Sequence, residues 1–328
     1  MVVWGGYSRF GSRLFADGAA FSPGSATWRK LPAAPLEART GHTTVWTGEE
    51  MIVWGGEVAT DGENYGADAA DGASYDAAQN RWREISPSPL EPRSAHTAVW
   101  TGGEMIVLGG VGEVRFADGA SYDPSDDAWR PIDASPLGAL SHHTAVWAGD
   151  RMIVWGGCRA RAAQSDAGAT YFPATDSWEM LPTSPLAPRC DAESVWTGRE
   201  LVVWGGERTS SRQLADGAAY DPATDRWRKL PGAPLDPRRG PVFQWTGTSL
   251  VVWGGSFDDY KGRSVSGPFA DGAEYDPVEN TWRALPPSPL EPRDYAASVW
   301  SGDAMIVWGG NDWQRRTAFD DGAALRRE

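Results

Sequence analysis

An apolar run closed by two glycines occurs seven times in the 328 residues, as MVVWGG ending at Gly6, MIVWGG at Gly56, MIVLGG at Gly110, MIVWGG at Gly157, LVVWGG at Gly206 and again at Gly255, and MIVWGG at Gly310. The spacings are 50, 54, 47, 49, 49 and 55 residues. A recurrence of this length makes each period one supersecondary unit that buries its faces only by stacking on its neighbours. Between the glycine pairs the same order returns: a loop, ADGAxYDP (Ala117 to Pro124, Ala215 to Pro222, Ala270 to Pro277), a turn, WRxLP, PLxPR, then HTAVWTG and the next MIVWGG.

Each period therefore holds four short strand candidates. HTAVW and MIVW are rich in β-branched and aromatic residues and are joined by Thr-Gly turns such as Thr101-Gly102 and Thr197-Gly198, which reads as two inner, buried strands. DGASY alternates small and larger residues and ends in Asp-Pro, while WRxLP alternates apolar with charged positions, as an outermost strand with one wet face does. A richness in turn formers, 39 Gly and 24 Pro, agrees with many short strands and excludes long helices. The expected fold is all-β, with antiparallel four-stranded sheets stacked face on face.

These motifs resemble the kelch-repeat β-propellers of bacterial type: the double glycine ends strand two, a Tyr lies in strand three and a Trp in strand four. The resemblance covers essentially the whole chain and implies one propeller domain, 1–328, with repeats at about 1–39, 40–93, 94–140, 141–189, 190–238, 239–293 and 294–328. The first repeat has strands two to four, five are complete, and the last has strands one, two and a possible three. Seven blades with incomplete terminal ones is the first expectation, with six blades as the alternative, and a monomer is expected unless terminal strands exchange between chains.

Charge narrows the partners. Thirty Lys+Arg against 44 Asp+Glu give −14, which argues against nucleic acid and anionic membrane surfaces. The chain opens on Met1-Val2-Val3-Trp4, already repeat sequence, which reads as cytoplasmic, or as periplasmic or secreted with a leader removed. No cofactor is expected. Four His and two Cys, Cys158 and Cys190, are too few for a metal cage or a disulfide framework, and whether the two cysteines bond to each other stays open.

Function is sought where the repeats disagree, on the side carrying the strand two-to-three and strand four-to-one connections. The opposite turns (TGEE, TGGE, AGDR, DPATD) are stereotyped. The PLxPR arginines Arg39, Arg93, Arg189, Arg238 and Arg293, with Arg239 beside them, stand just before the inner strand; the resemblance implies that such positions help to bind acidic peptides. A structural alternative has the same arginines pair with the repeated Asp of DGA (Asp17, Asp71, Asp118, Asp216, Asp271). Leu140 breaks the series.

His42, His96 and His143 lie four residues before the strand-one Trp and read as repeat residues rather than metal ligands, whereas His142 is off that register. Asp191, Glu193, Asp294 and Tyr295 replace the usual small residues and are candidates to hold a polar ligand. Eighteen of the 19 Trp fall at repeat positions; Trp313 alone does not, and with Tyr7, Tyr65, Tyr260 and Tyr295 it is a candidate binding aromatic. Gly62 to Gly66 and Gly262 to Gly267 read as flaps.

The expected function is a non-catalytic scaffold that recognises a protein segment or glycan, acidic in character, through this side. An enzyme reading, a sugar epimerase or mutarotase, would use Arg189, Glu193, Arg238 and Asp294 on an acidic sugar. A third reading makes the domain a structural module of a larger protein.

Overall fold

A computed structural model describes residues 1–8, 13–59, 66–159, 163–208, 212–258 and 265–326. The described residues contain strands and turns and no helix. They separate into two compact halves, Met1–Ala163 with Ala169–Met180, and Gln164–Gly168 with Leu181–Glu328.

In the N-terminal half a three-stranded sheet (Val2–Trp4, Gly18–Ser22, Thr27–Lys30) precedes three four-stranded antiparallel sheets. The first of these is typical. Thr43–Trp46, Glu50–Trp54, Gly72–Asp76 and Arg81–Glu84 run as a meander, with Thr43 opposite Trp54 and Gly72 opposite Trp54 on the other side. The C-terminal half has two such sheets, beginning at Glu193–Trp196 and Val242–Trp245, and a three-stranded one, Ala297–Trp300, Ala304–Trp308 and Gly322–Arg326.

The apolar runs are the second strands, and they are buried on both faces. Ile52, Val53 and Trp54 are fully buried, as are Met105 to Val107 and Val202 to Val203, because within each half neighbouring sheets pack face on face. Val45, Ile52 and Trp54 of one sheet meet Met105, Val107, Ala120 and Tyr122 of the following one, and Val202, Trp204 and Ala219 meet Leu250, Val252 and Tyr275 in the same way. Each such side chain contributes roughly 1.5–3 kcal/mol by leaving water.

Polar groups repeat as regularly as apolar ones. Strand-four tryptophans donate their indole N–H to a carbonyl of the preceding repeat, Trp82 to Pro32, Trp129 to Ser86, Trp178 to Asp133, Trp227 to Pro182 and Trp282 to Pro231. The strand-three tyrosines donate to the left-handed residue of their own hairpin, as Tyr75 does to Asn80 at 2.8 Å and Tyr171 to Asp176 at 2.6 Å. An aromatic-rich composition thus serves the sheet contacts.

The double glycine has a local cause. Gly56 has φ near +96°, its N–H donates to the Arg93 carbonyl of the next repeat at 2.9 Å, and a Cβ there would lie 2.5 Å from the Thr40 carbonyl oxygen. Gly6, Gly110 and Gly255 donate in the same way to Arg39, Leu140 and Arg293. Gly56→Ala is therefore expected to cost at least about 1–3 kcal/mol from strain at that φ alone. A melting temperature equal to that of the parent would show that the loop relaxes freely.

Candidate functional site

The PLxPR arginines are interior residues. Arg39, Arg93, Arg189, Arg238 and Arg293 are each at most 1% exposed. Arg238 is representative: Nε donates to the Asp236 carbonyl at 3.0 Å, Nη1 to the Gly254 carbonyl at 3.0 Å, and Nη1 and Nη2 together to the Asp271 carboxylate at 3.0 and 3.3 Å. The Phe269 ring covers the guanidinium at 4.4 Å.

The same fork joins Arg39 to Asp71, Arg93 to Asp118, Arg189 to Asp216 and Arg293 to Asp321. Each arginine binds the aspartate of the next repeat, so the set ends on Asp321 rather than beginning on Asp17. Bonded to carbonyls and to a carboxylate, these five are ties between repeats, the structural alternative that the sequence offers for them. Arg189 and Arg238, which the acidic-sugar reading uses, are among these ties, and Asp294 is also buried and accepts from Ser256 Oγ at 2.6 Å. Where Leu140 replaces the arginine, Ala167 replaces the aspartate before the next repeat's glycine, so the pair is lost as a pair.

The repeat histidines form a second set of ties. His96 Nε2 and Thr43 Oγ1 lie 2.9 Å apart, and His143 Nε2 and Thr97 Oγ1 2.8 Å, each bond joining one repeat to the one before. Trp4 and Trp54 pack edge-on against His42 and His96. Burial pushes the imidazole pKa down to about 4 in His42, about 3 in His96 and about 4 in His143, so all three are neutral at pH 7. Among the described residues no group of three His, Cys, Asp or Glu is placed to hold a metal.

One register position combines a variable side chain with a constant left-handed backbone. Two residues after each PLxPR arginine, and after Leu140 in the third repeat, the backbone turns left-handed, at Gly41, Ala95, His142, Asp191, Gly240 and Tyr295, with φ between +50° and +63°. His142 N–H donates to the Ala95 carbonyl at 3.0 Å and Tyr295 N–H to the Gly240 carbonyl at 2.8 Å, backbone bonds that link this position in one repeat to the one before. The residue before it bridges the two-to-three loop, Ser94 with Val111, Ser141 with Cys158, Cys190 with Glu207, Arg239 with Ser256 and Asp294 with Asn311. His142, Asp191 and Tyr295, which look unrelated in the sequence, are one column of the repeat. Both cysteines are in disulfide linkage, and Cys190 is the buried neighbour of Asp191.

In the C-terminal half this column forms a patch. Tyr295 is 60% exposed, and its ring lies over Gly240, where a Cβ would come within 2.8 Å of it. Its hydroxyl is pushed up to about 12, first by desolvation, with Arg239 opposing and Asp294, Asp191 and Glu207 reinforcing. The tyrosine thus stands in the field of Asp191, two repeats earlier.

Glu193 follows Asp191 by two residues and is half-buried at the position of Thr43 and Thr97. Those threonines meet a histidine, but the residue at the matching place after Glu193 is Pro241. Among the described residues Glu193 has no hydrogen-bond or salt-bridge partner, and burial, with the Asp191 charge adding to it, pushes its carboxyl up to about 7. Trp313 is half-buried beside Asp312, whose carboxylate caps the Gln314 and Arg315 amides. Tyr65 and Tyr260 lie outside the described residues, as do residues 62–65 and 262–264 of the expected flaps.

A tyrosine in the left-handed region is unfavourable by about 1–2 kcal/mol. Tyr295→Gly is accordingly expected to melt within about 1 kcal/mol of the parent, since relief of that strain offsets the added freedom of the unfolded chain. A large loss of stability on thermal denaturation would instead make the ring a packing element.

The family model of the KLHDC2/KLHL20/DRC7 Kelch-repeats domain matches residues 1–139 and 142–326.

Proposed function

Because the chain belongs to the kelch-repeat family, whose domains generally bind protein partners, we propose that it is a non-catalytic scaffold that recognises a partner segment at the strand four-to-one and two-to-three connections. The observation that carries this reading is the left-handed column. Its backbone is the same from repeat to repeat while its side chains are Gly, Ala, His, Asp, Gly and Tyr. A feature required by the fold repeats; a feature that differs at a fixed backbone position is free to serve recognition. The strained, exposed Tyr295 is the strongest member, because strain kept at a surface position points to use rather than to packing.

The partner on this reading is a polypeptide segment, with Tyr295 and Asp191 as contact residues and Glu193 and Arg239 as their neighbours. Selection of displayed peptides on the purified protein tests it. Selected peptides should lose at least about tenfold in affinity, about 1.4 kcal/mol, when Tyr295→Gly and Asp191→Ser are combined. Peptides that bind both proteins equally would place recognition elsewhere and remove the reading.

A further inference from the structure

We propose that the first sheet accepts a β-strand from another polypeptide, an extended segment of the pattern Thr-x-Val, antiparallel along the open edge of Val2–Trp4. This is a second interaction surface, and it does not depend on recognition at the left-handed column.

Three observations in the N-terminal half carry it. The first is the backbone. In the four-stranded sheets the second strand is paired on both sides, as Glu50–Trp54 is by Thr43–Trp46 and Gly72–Asp76. The equivalent strand of the first sheet, Val2–Trp4, pairs with Gly18–Ser22 alone among the described residues. Met1 exchanges hydrogen bonds with Phe21, and Gly5 N–H donates to the Asp17 carbonyl. Alternation along the strand therefore turns the N–H and C=O groups of Val2 and Trp4 to the unpaired side, where Ile52 and Trp54 of the next sheet meet Val45 and Thr43.

The second is uncovered apolar surface. Val2 and Val3 are half-buried, whereas Ile52 and Val53, Ile106 and Val107, and Ile153 and Val154 at the same places are fully buried. Trp46 is 48% exposed, while the other five strand-one tryptophans are half-buried. The next repeat shows what covers such a residue: Val45 packs in one cluster with Ala98 and Trp100 of the following first strand. The first sheet has no such valine to lay on Thr44 and Trp46, and both are exposed.

The third is His42. It packs edge-on against Trp4 as His96 does against Trp54, and both rings bond the backbone of that tryptophan. His96 and His143 also reach a threonine of the preceding first strand, Thr43 and Thr97, through Nε2. Among the described residues His42 has no side-chain hydrogen-bond partner.

One segment answers all three. Laid on Val2–Trp4 in the register of Thr43–Trp46 on Glu50–Trp54, its first residue lies opposite Trp4 and its third opposite Val2. A threonine in first place supplies the hydroxyl for His42, a valine in third place covers Trp46, and the backbone completes the ladder. Strand addition of this kind takes affinity from main-chain bonds and specificity from alternate side chains. The first strands of this chain have the pattern, but each is already paired with its own second strand, so the donor is a separate segment.

The test uses a fluorescein-labelled nonapeptide with the sequence of residues 94–102, SAHTAVWTG, and fluorescence polarisation on the full chain. It should bind saturably and slow amide exchange at Val2 and Trp4. N-methylation at the peptide's Val99 position, whose N–H faces the edge, should weaken binding at least about tenfold, and N-methylation at its Ala98 position, which faces away, should not. Trp46→Ala in the protein should weaken binding by about tenfold. Thr97→Val in the peptide should cost about fivefold on the parent and nothing on His42→Gln, with melting curves confirming that both protein variants are folded. Binding that ignores the Val99 methyl group, equal binding of a scrambled peptide, or no binding would overturn the proposal. A dimer in light scattering that the peptide fails to dissociate would give the edge to a second copy and overturn it as well.

Discussion

Arg238→Ala is expected to destabilise the protein by about 2–5 kcal/mol, the range for truncating a large side chain in a core, because the Arg238 side chain is fully buried although its partner Asp271 is half exposed. The guanidinium is fully buried, and truncation strands the Gly254 and Asp236 carbonyls, releases the Asp271 carboxylate and empties the space under Phe269. Arg238→Lys should restore only a minor part, because an ammonium cannot bridge both carboxylate oxygens and two carbonyls at once. Denaturant titration followed by tryptophan fluorescence measures this directly. A variant as stable as the parent would overturn the tie, and a variant that stays folded but loses its partner would return the arginine to the binding site.

Acid should have the second large effect. His42, His96 and His143 have pKa values near 4, 3 and 4 when folded, against about 6.5 in an unfolded chain. Their folded values are depressed, so the unfolded chain takes up protons first as pH falls. The stabilisation is fully present above about pH 6.5 and is lost progressively below it, until the folded-state groups also protonate near pH 3–4. By pH 5 each histidine accounts for about 2 kcal/mol, and the three together for on the order of 6 kcal/mol, an upper estimate because the rings interact. Melting curves from pH 7.5 to 4.5 should show this decline, and His96→Gln, which keeps a polar side chain but does not titrate, should flatten it. A slope unchanged in that variant would place the acid sensitivity in other groups.

The strand order and the buried second strands are readable in the sequence because period and composition repeat together. Val53 and Trp54, for example, are apolar in a run too short for a helix and are closed by glycine. The destination of the arginines is not readable from one repeat, since the motif that supplies Arg238 also contains residues before a DGA aspartate of its own. The sequence does hold a clue: Leu140 is followed by Ala167, the one place where both partners of the tie are missing.

The candidate site was legible as a set of odd residues but not as a position. His142 stands next to His143, and the repeat histidine draws the eye to the wrong column. Glycine at 41 and 240 in the same column as His142, Asp191 and Tyr295 is the signal that the backbone there is left-handed. That Tyr295 reaches across Gly240 depends on how consecutive repeats sit, which no single-repeat pattern contains.

The left-handed column is also an address at which this chain can change what it recognises without changing how it folds. Its backbone is fixed by carbonyls of the neighbouring repeats, as Tyr295 is by Gly240, and it already accommodates five different residue types. Substitution at positions 41, 95 and 142 in one half, and at 191, 240 and 295 in the other, changes an equivalent place in each repeat. Variation in partner choice among proteins built on this repeat can therefore accumulate at one column while the glycines, arginines and tryptophans around it stay constant.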